Sequence, residues 1–106
     1  MKTVWDRIES QRAGYLADLG LLCRQPSISA QKVGLDEMAE LCASTMRAYG
    51  LQARTIPIPG GPPVVYGERQ GRSAKTLLFY DHYDVQPPEP LDQWESPPFE
   101  LTARGG

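Results

Sequence analysis

Side chains that bind metals or carry redox chemistry are scarce in this sequence of 106 residues, which contains one histidine, His82, and two cysteines, Cys23 and Cys42. The cysteines are too far apart for the Cys-x-x-Cys spacing of zinc and redox sites, and each falls on an apolar position of a predicted helix. We therefore expect small core residues rather than ligands or a disulfide. The hydrophobic fraction of 41% and the charged fraction of 23% are ordinary for a globular protein.

Long apolar runs are also absent. The N-terminal residues lack the continuous stretch of about 7–15 apolar residues that a signal peptide needs. No segment approaches the roughly 18 apolar residues of a membrane span. With a net charge of −2, nothing favours a polyanionic partner. We expect a cytoplasmic protein of at most one domain that binds neither nucleic acid nor membrane.

Positive charge is missing from one stretch. Between Thr76 and Ala103 there is no Lys or Arg, but there are six acidic residues. They are Asp81, Asp84, Glu89, Asp92, Glu95 and Glu100. The stretch carries −6, which leaves +4 for the rest of the chain, from 11 basic residues and the other 7 of the 13 acids. A solvated acidic loop is the simpler interpretation, and a negative rim around a cation is the alternative.

Apolar periodicity predicts two helices. The first spans Thr3–Cys23 with its first residue as N-cap, and the second runs from Lys32 or Leu35 to Tyr49, with Gly50 as C′ residue. The stripe of the first helix comprises Trp5, Ile8, Tyr15, Leu19 and Leu22. That of the second comprises Leu35, Met38, Ala39, Cys42, Met46 and Tyr49. Both stripes are expected to be core faces.

Strand-like segments follow the helices. Leu51–Ile58 alternates weakly, and Pro57 favours an edge position. Val64–Glu68 and Lys75–Tyr80 are predicted to pair as a β-hairpin. The second arm is apolar on both faces, as in an interior strand of a sheet covered by helices. From Gln86 onward the proline-rich segment predicts a loop packed on the surface of the domain.

The four positions after the apolar run Leu77–Tyr80 contain three polar residues: Asp81, His82 and Asp84. Ligands of open α/β sheets bind beyond the carboxyl ends of strands. If the chain stays extended, His82 and Asp84 point to one side, with Cβ atoms about 6–7 Å apart. A carboxylate at that separation can fix the tautomer and orientation of a metal-bound imidazole. This spacing favours His82 as a metal ligand and Asp84 as the residue that steers it.

Two other interpretations of this stretch stay open. A lone histidine on a loop is usually a surface polar group, and aspartate after a strand is commonly a turn or cap residue. Asp81 is also placed like the nucleophile of an aspartyl-phosphate enzyme. Against that chemistry, Tyr83 stands at the +2 position instead of a second acid, and no Gly-rich phosphate-binding loop is nearby.

The run Leu77–Pro87, followed by Trp94–Glu100, resembles a family of dinuclear zinc peptidases. The family includes carnosine-type dipeptidases, acetylornithine deacetylase, succinyl-diaminopimelate desuccinylase, aminoacylase and glutamate carboxypeptidase. Gln25–Ser29, the helix ending at Gly50 and Val64–Glu68 support the resemblance in colinear order. The resemblance implies an α/β protein: residues 1–106 would be the N-terminal segment of a three-layer α/β/α, aminopeptidase-like catalytic domain, with two helices followed by a β-hairpin of a mixed sheet.

The resemblance also implies a chemistry. His82 becomes a ligand of one of two Zn²⁺ ions, with Co²⁺ or Mn²⁺ as alternatives, and Asp84 the aspartate that orients this histidine and assists catalysis. In the family the metal ions polarise an amide carbonyl and activate a water, and a glutamate moves the proton. The Tyr-Asp-Val-Gln form of the motif is similar to the dipeptidase branch, which implies dipeptides or short peptides as substrates. For the full-length protein, the resemblance allows a homodimer.

The sequence departs from the family pattern in two respects. Asp81 stands where the family usually has glycine. The bridging aspartate, the paired glutamates, a further acidic ligand, the last histidine and the lid or dimerisation domain are all missing. The chain is therefore expected to be inactive by itself. The alternative is a non-catalytic remnant or a binding module derived from the family.

Overall fold

A computed structural model describes residues 2–105 of the chain. The chain separates into two compact units. The first runs to Gln25 and resumes at Glu89, and the second is Pro26–Pro88. Within the described residues, no helix combines the length and the apolar character needed to cross a membrane.

The first unit is built on helix α1, Lys2–Arg24. The predicted bounds, Thr3–Cys23, agree to within one residue at each end, although Thr3 lies inside the helix instead of capping it. The apolar stripe of α1 is largely exposed, with Trp5 at 63%, and only its last turns are half-buried, as at Leu22. A core face was predicted here. The difference arises because, within this unit, only the proline-rich segment packs on α1.

The proline-rich segment contacts helix α1 near the C-terminal end of the helix. A Cβ added to Gly20 would lie 3.8 Å from the side chain of Leu101, which is ordinary van der Waals contact. One turn of 3-10 helix, Leu91–Gln93, precedes this contact. The Arg104 guanidinium approaches the Glu95 carboxylate at 3.6 Å. The prediction of a packed surface loop is confirmed.

The second unit contains helix α2, Leu35–Ala48, which ends as the sequence predicts. Gly50 has a φ of 83°, a conformation that glycine adopts without strain. The N–H of Gly50 donates to the carbonyl of Arg47, and that of Leu51 donates to the carbonyl of Met46. These two bonds form a Schellman motif, which satisfies carbonyls left unpaired at the helix end.

Two antiparallel strands follow, β1 (Gln52–Ile58) and β2 (Gly61–Glu68). Their register shifts between Ile56 and Ile58, at a proline that has no N–H to donate. Helix α2 packs on the strands. The buried residues of α2 are Met38, Ala39 and Ala43. A Cβ on Gly67 would lie 2.8 Å from the sulfur of Met46, so glycine lets the Met46 side chain approach the strand closely.

The pairing of the hairpin differs from the prediction. Val64–Glu68 belongs to β2, but its partner is β1 and not Lys75–Tyr80. Gly60, with a φ of 74°, lies in the tight turn that joins β1 to β2, so these two strands, which are adjacent in sequence, pair with each other. Lys75–Tyr80 forms no strand with the described residues. Two helices followed by an antiparallel hairpin, an α/β arrangement, are nevertheless confirmed.

Candidate metal site

The candidate site lies in the second unit, where the chain segment Tyr83–Val85 runs beside Ser27–Ser29. Ile28 and Val85 form a parallel β-bridge. The Val85 N–H donates to the carbonyl of Ser27 at 2.9 Å, and the Ser29 N–H donates to the carbonyl of Val85 at 3.4 Å. The polar connector before α2 therefore holds the stretch that carries His82 and Asp84.

Two side chains strengthen this attachment. Ser27, which is only 1% exposed, donates its hydroxyl to the carbonyl of Tyr83 at 2.7 Å. The Tyr83 hydroxyl in turn donates to the carbonyl of Pro63 in β2 at 2.5 Å. Burial raises the pKa of Tyr83, which keeps this donor protonated. The stretch is thus attached both to the connector and to the hairpin.

His82 and Asp84 contact each other, as their spacing predicts. Nδ1 of His82 lies 3.2 Å from the Asp84 carboxylate oxygen Oδ1 and 2.9 Å from the Asp84 carbonyl oxygen. Because both oxygens only accept hydrogen bonds, Nδ1 must carry the proton in the neutral ring. Nε2 then holds the lone pair, and it has no hydrogen-bond partner among residues 2–105. A metal-binding histidine has this arrangement.

The charged forms of His82 and Asp84 stabilise each other. The Asp84 backbone carbonyl, followed by its carboxylate, raises the pKa of His82 above its usual 6.5. The pKa of Asp84 is lowered, chiefly by a hydrogen bond from the Ser29 side chain, and also by His82. Asp84 is therefore ionised at neutral pH, where it can orient the imidazole.

Asp81, the unusual residue of the motif, has a local partner. Its Oδ1 accepts the backbone N–H of His82 at 2.8 Å. Its negative charge also contributes to the raised pKa of His82, as the smallest of several causes. The carboxylate is thus engaged with the backbone next to the candidate ligand.

The described residues do not complete a metal site. No group of three or more His, Cys, Asp or Glu side chains among them converges closely enough to hold an ion. Cys23 and Cys42 are free thiols, and both are half-buried instead of lying in the core as predicted. The structure therefore provides one oriented histidine with its carboxylate partner.

Replacing Ser27 by alanine should lower the free energy of unfolding by about 1–3 kcal/mol, because the mutation removes a buried donor and leaves the Tyr83 carbonyl unsatisfied. Urea denaturation measures this change. Ser44→Ala is the matched control, since that hydroxyl is exposed and bonds only within its own helix. Equal midpoints for the two variants would contradict the anchoring role of Ser27.

The single histidine allows a direct test of the tautomer. We expect the ring nitrogens to report the Nδ1–H form at high pH, with a pKa above 6.5, in a long-range ¹H–¹⁵N NMR titration. Since the pKa is raised by folding, the charged ring stabilises the fold below about pH 6.5, and the effect disappears as pH rises through the folded value. Asp84→Ala should lower this pKa. A wild-type Nε2–H tautomer would contradict the geometry.

Comparison with known proteins places this geometry in context, although no family model matches the chain. A succinyl-diaminopimelate desuccinylase of Bordetella pertussis is 35% identical over 80% of the chain and 21% of the relative. The Cys-Gly metallodipeptidase dug1 of Schizosaccharomyces pombe is 28% identical over 93% of the chain and 24% of the relative. The chain thus spans about a fifth to a quarter of the length of these relatives.

A solved structure agrees with the sequence matches. The M20 family metallo-carboxypeptidase Sso-CP2 of Sulfolobus solfataricus superposes with a TM-score of 0.78 and is 40% identical, over 84% of the chain and 20% of that structure. The α/β fold and these relatives identify the family of the chain. The chain belongs to the M20 family. The resemblance seen in the sequence is thereby confirmed.

Proposed function

We propose that residues 1–106 form the N-terminal segment of the catalytic domain of a metal-dependent hydrolase that cleaves amide bonds in dipeptides or short peptides. His82 binds a metal ion through Nε2, and Asp84 holds the ring. The observation that carries this proposal is the pair of acceptor oxygens on Nδ1, which leaves Nε2 with its lone pair.

The metal would be Zn²⁺, two ions in the complete site, with Co²⁺ or Mn²⁺ as alternatives. A bound ion of this kind supplies Lewis acidity to an amide carbonyl and lowers the pKa of a bound water. The residues of this chain contribute orientation: Asp84 fixes the tautomer of His82, Ser29 keeps Asp84 ionised, and the bridge at Val85 fixes the backbone.

Relatives named dipeptidase and carboxypeptidase favour a peptide substrate, whereas the relative named desuccinylase favours an N-succinylated amine. The Tyr-Asp-Val-Gln stretch, Tyr83–Gln86, favours the dipeptidase branch over the deacylase branch. A cytoplasmic enzyme that takes small peptides, assembles as a homodimer when complete, and binds neither nucleic acid nor membrane fits this function. Steady-state assays with dipeptides and with N-succinylated amines separate the two branches in the complete enzyme.

The 106-residue chain alone should hydrolyse no dipeptide above the buffer rate when Zn²⁺ is added. A catalytic zinc typically needs three protein ligands plus water, and the described residues bring no such set together. Amine release from a panel of dipeptides measures the rate, with His82→Ala as the control for contaminating peptidases. Turnover that His82→Ala abolishes would contradict the proposal that further ligands come from outside these residues.

Reading the coding DNA downstream of Gly106 tests the enzyme proposal against the non-catalytic alternative. An open frame that encodes Gly-x-Gly, an aspartate and then a Glu-Glu pair supports the enzyme. A stop codon directly after Gly106 favours a remnant or a binding module.

A further inference from the structure

Ser29 is an exposed residue of the connector that holds the candidate metal site, and its side chain donates a hydrogen bond to the Asp84 carboxylate. The same carboxylate contacts the histidine, because its Oδ1 lies 3.2 Å from Nδ1 of His82. The three side chains therefore form a hydrogen-bonded series that begins on the connector before α2 and ends at the candidate metal ligand.

The backbone of Ser29 is fixed independently of its side chain. Its N–H donates to the carbonyl of Val85 at 3.4 Å, and its carbonyl accepts the N–H of Lys32 at 3.2 Å, which closes one turn of 3-10 helix. The preceding residue, Ile28, is only 5% exposed and exchanges two backbone hydrogen bonds with Val33. The Ser29 hydroxyl thus projects from a backbone that is held in place beside the site.

Contact with His82 alone does not fix the Asp84 carboxylate. The Asp84 side chain is 42% exposed, and the last torsion of an aspartate side chain has a broad range of preferred angles. Nδ1 of His82 also has a second acceptor, the Asp84 carbonyl at 2.9 Å, so the ring keeps a hydrogen bond even if the carboxylate turns towards water. A hydrogen bond from a different segment of the chain removes that freedom.

We propose that Ser29 is a positioning residue of the metal site, whose hydroxyl holds the Asp84 carboxylate against Nδ1 of His82. This inference rests on the proposed function, because it requires that His82 binds the metal through Nε2. A carboxylate held at Nδ1 raises the basicity of the imidazole as a ligand, and loss of such a partner weakens metal binding. Ser29 acts only through Asp84.

Ser27 and Ser29 have different roles although they are two residues apart. Ser27 is buried and donates to the backbone carbonyl of Tyr83, so its loss lowers stability. The hydroxyl of Ser29 is exposed and bonds a side chain of the site. Ser29→Ala should therefore leave the midpoint of urea denaturation close to that of the wild type, and its effect should appear at the metal.

Zn²⁺ affinity in the full-length enzyme that we propose measures this effect. Ser29→Ala should weaken binding about 3–10-fold, which is less than the loss of about 10–100-fold expected for a partner that contacts the ligand directly. Ser29→Thr keeps a hydroxyl and should restore the wild-type affinity. The control is Ser73→Ala, which removes an exposed hydroxyl of the same unit that accepts the Lys75 N–H, and it should change nothing. Competition with a coloured chelator gives the constants.

A double-mutant cycle tests whether Ser29 acts through Asp84. Residues that share one hydrogen-bond network give non-additive effects, so Ser29→Ala should weaken Zn²⁺ binding no further when Asp84 is already alanine. Losses that add in the double variant would contradict the positioning role, because they would show an effect of Ser29 that does not need the carboxylate.

The 106-residue chain provides a readout that needs neither metal nor activity. Three-bond couplings between the Hα and Hβ protons of Asp84 report whether its side chain occupies one rotamer. The wild type should show the unequal couplings of a single rotamer, whereas in Ser29→Ala they should move towards rotationally averaged values. Ser29→Thr and Ser73→Ala should both retain the wild-type couplings.

The results separate this inference from the proposed function. If Asp84→Ala weakens Zn²⁺ binding but Ser29→Ala does not, and Asp84 keeps a single rotamer without the hydroxyl, the positioning role is overturned while the proposed function stands. If neither His82→Ala nor Asp84→Ala weakens Zn²⁺ binding, the proposed function fails, and the role of Ser29 at a metal site fails with it.

Discussion

Replacing His82 by alanine in the full-length enzyme that we propose should lower kcat for a dipeptide by on the order of 10³-fold or more. A metal ion contributes several kcal/mol of transition-state stabilisation, and each 1.4 kcal/mol corresponds to about tenfold in rate. No second histidine lies in this chain to replace the lost ligand. Steady-state kinetics with saturating metal measure the effect.

The control for that experiment is Gln70→Ala, an exposed residue in the same unit that makes only a weak local hydrogen bond of 3.4 Å. Its activity should equal that of the wild type. Circular dichroism of His82→Ala should also match the wild type, because the ring is largely exposed and supports no core. A His82→Ala enzyme that retains activity within tenfold would contradict the assignment of His82 as a ligand.

Replacing Asp84 by alanine in the complete enzyme should weaken metal binding about 10–100-fold, because the imidazole loses the partner that fixes its tautomer. Asp84→Asn keeps an acceptor oxygen without the charge, so its affinity should fall between those of Asp84→Ala and the wild type. Competition with a coloured chelator measures the affinities. The pKa of Asp84 is lowered, so wild-type affinity should not fall from protonation of this carboxylate near neutral pH.

The matched control is Asp92→Ala, which removes another exposed acid of the stretch between Thr76 and Ala103 that contains no Lys or Arg. If it weakens metal binding as much as Asp84→Ala, the role of Asp84 reduces to general negative charge. Equal affinities for Asp84→Ala and the wild type would show that the contact with His82 does not serve the metal.

Local features were predictable wherever short-range chemistry determines them. The end of α2 follows from Gly50, which alone in that region tolerates the left-handed turn. The contact between His82 and Asp84 follows from a two-residue spacing that brings both side chains to one side. The confirmed family resemblance depended on this same motif.

Strand pairing was less predictable, because apolarity shows that Leu77–Tyr80 needs burial but not which strand provides it. Because the tight turn at Gly60 joins β1 to β2, these two strands pair with each other. The anchoring by Ser27 was also missed. Its hydroxyl acts on Tyr83, which is 56 residues away in the sequence, and no local pattern records such a contact. The sequence feature that could have indicated this anchor is Gln25–Ser29, one of the segments that support the family resemblance.

The most direct test of the account is anomalous diffraction at the zinc edge from crystals of the complete enzyme soaked with Zn²⁺. The account predicts a peak about 2.0–2.1 Å from Nε2 of His82, with Nδ1 still bonded to Asp84. Zinc bound through Nδ1, or zinc bound elsewhere with His82 left free, would contradict it.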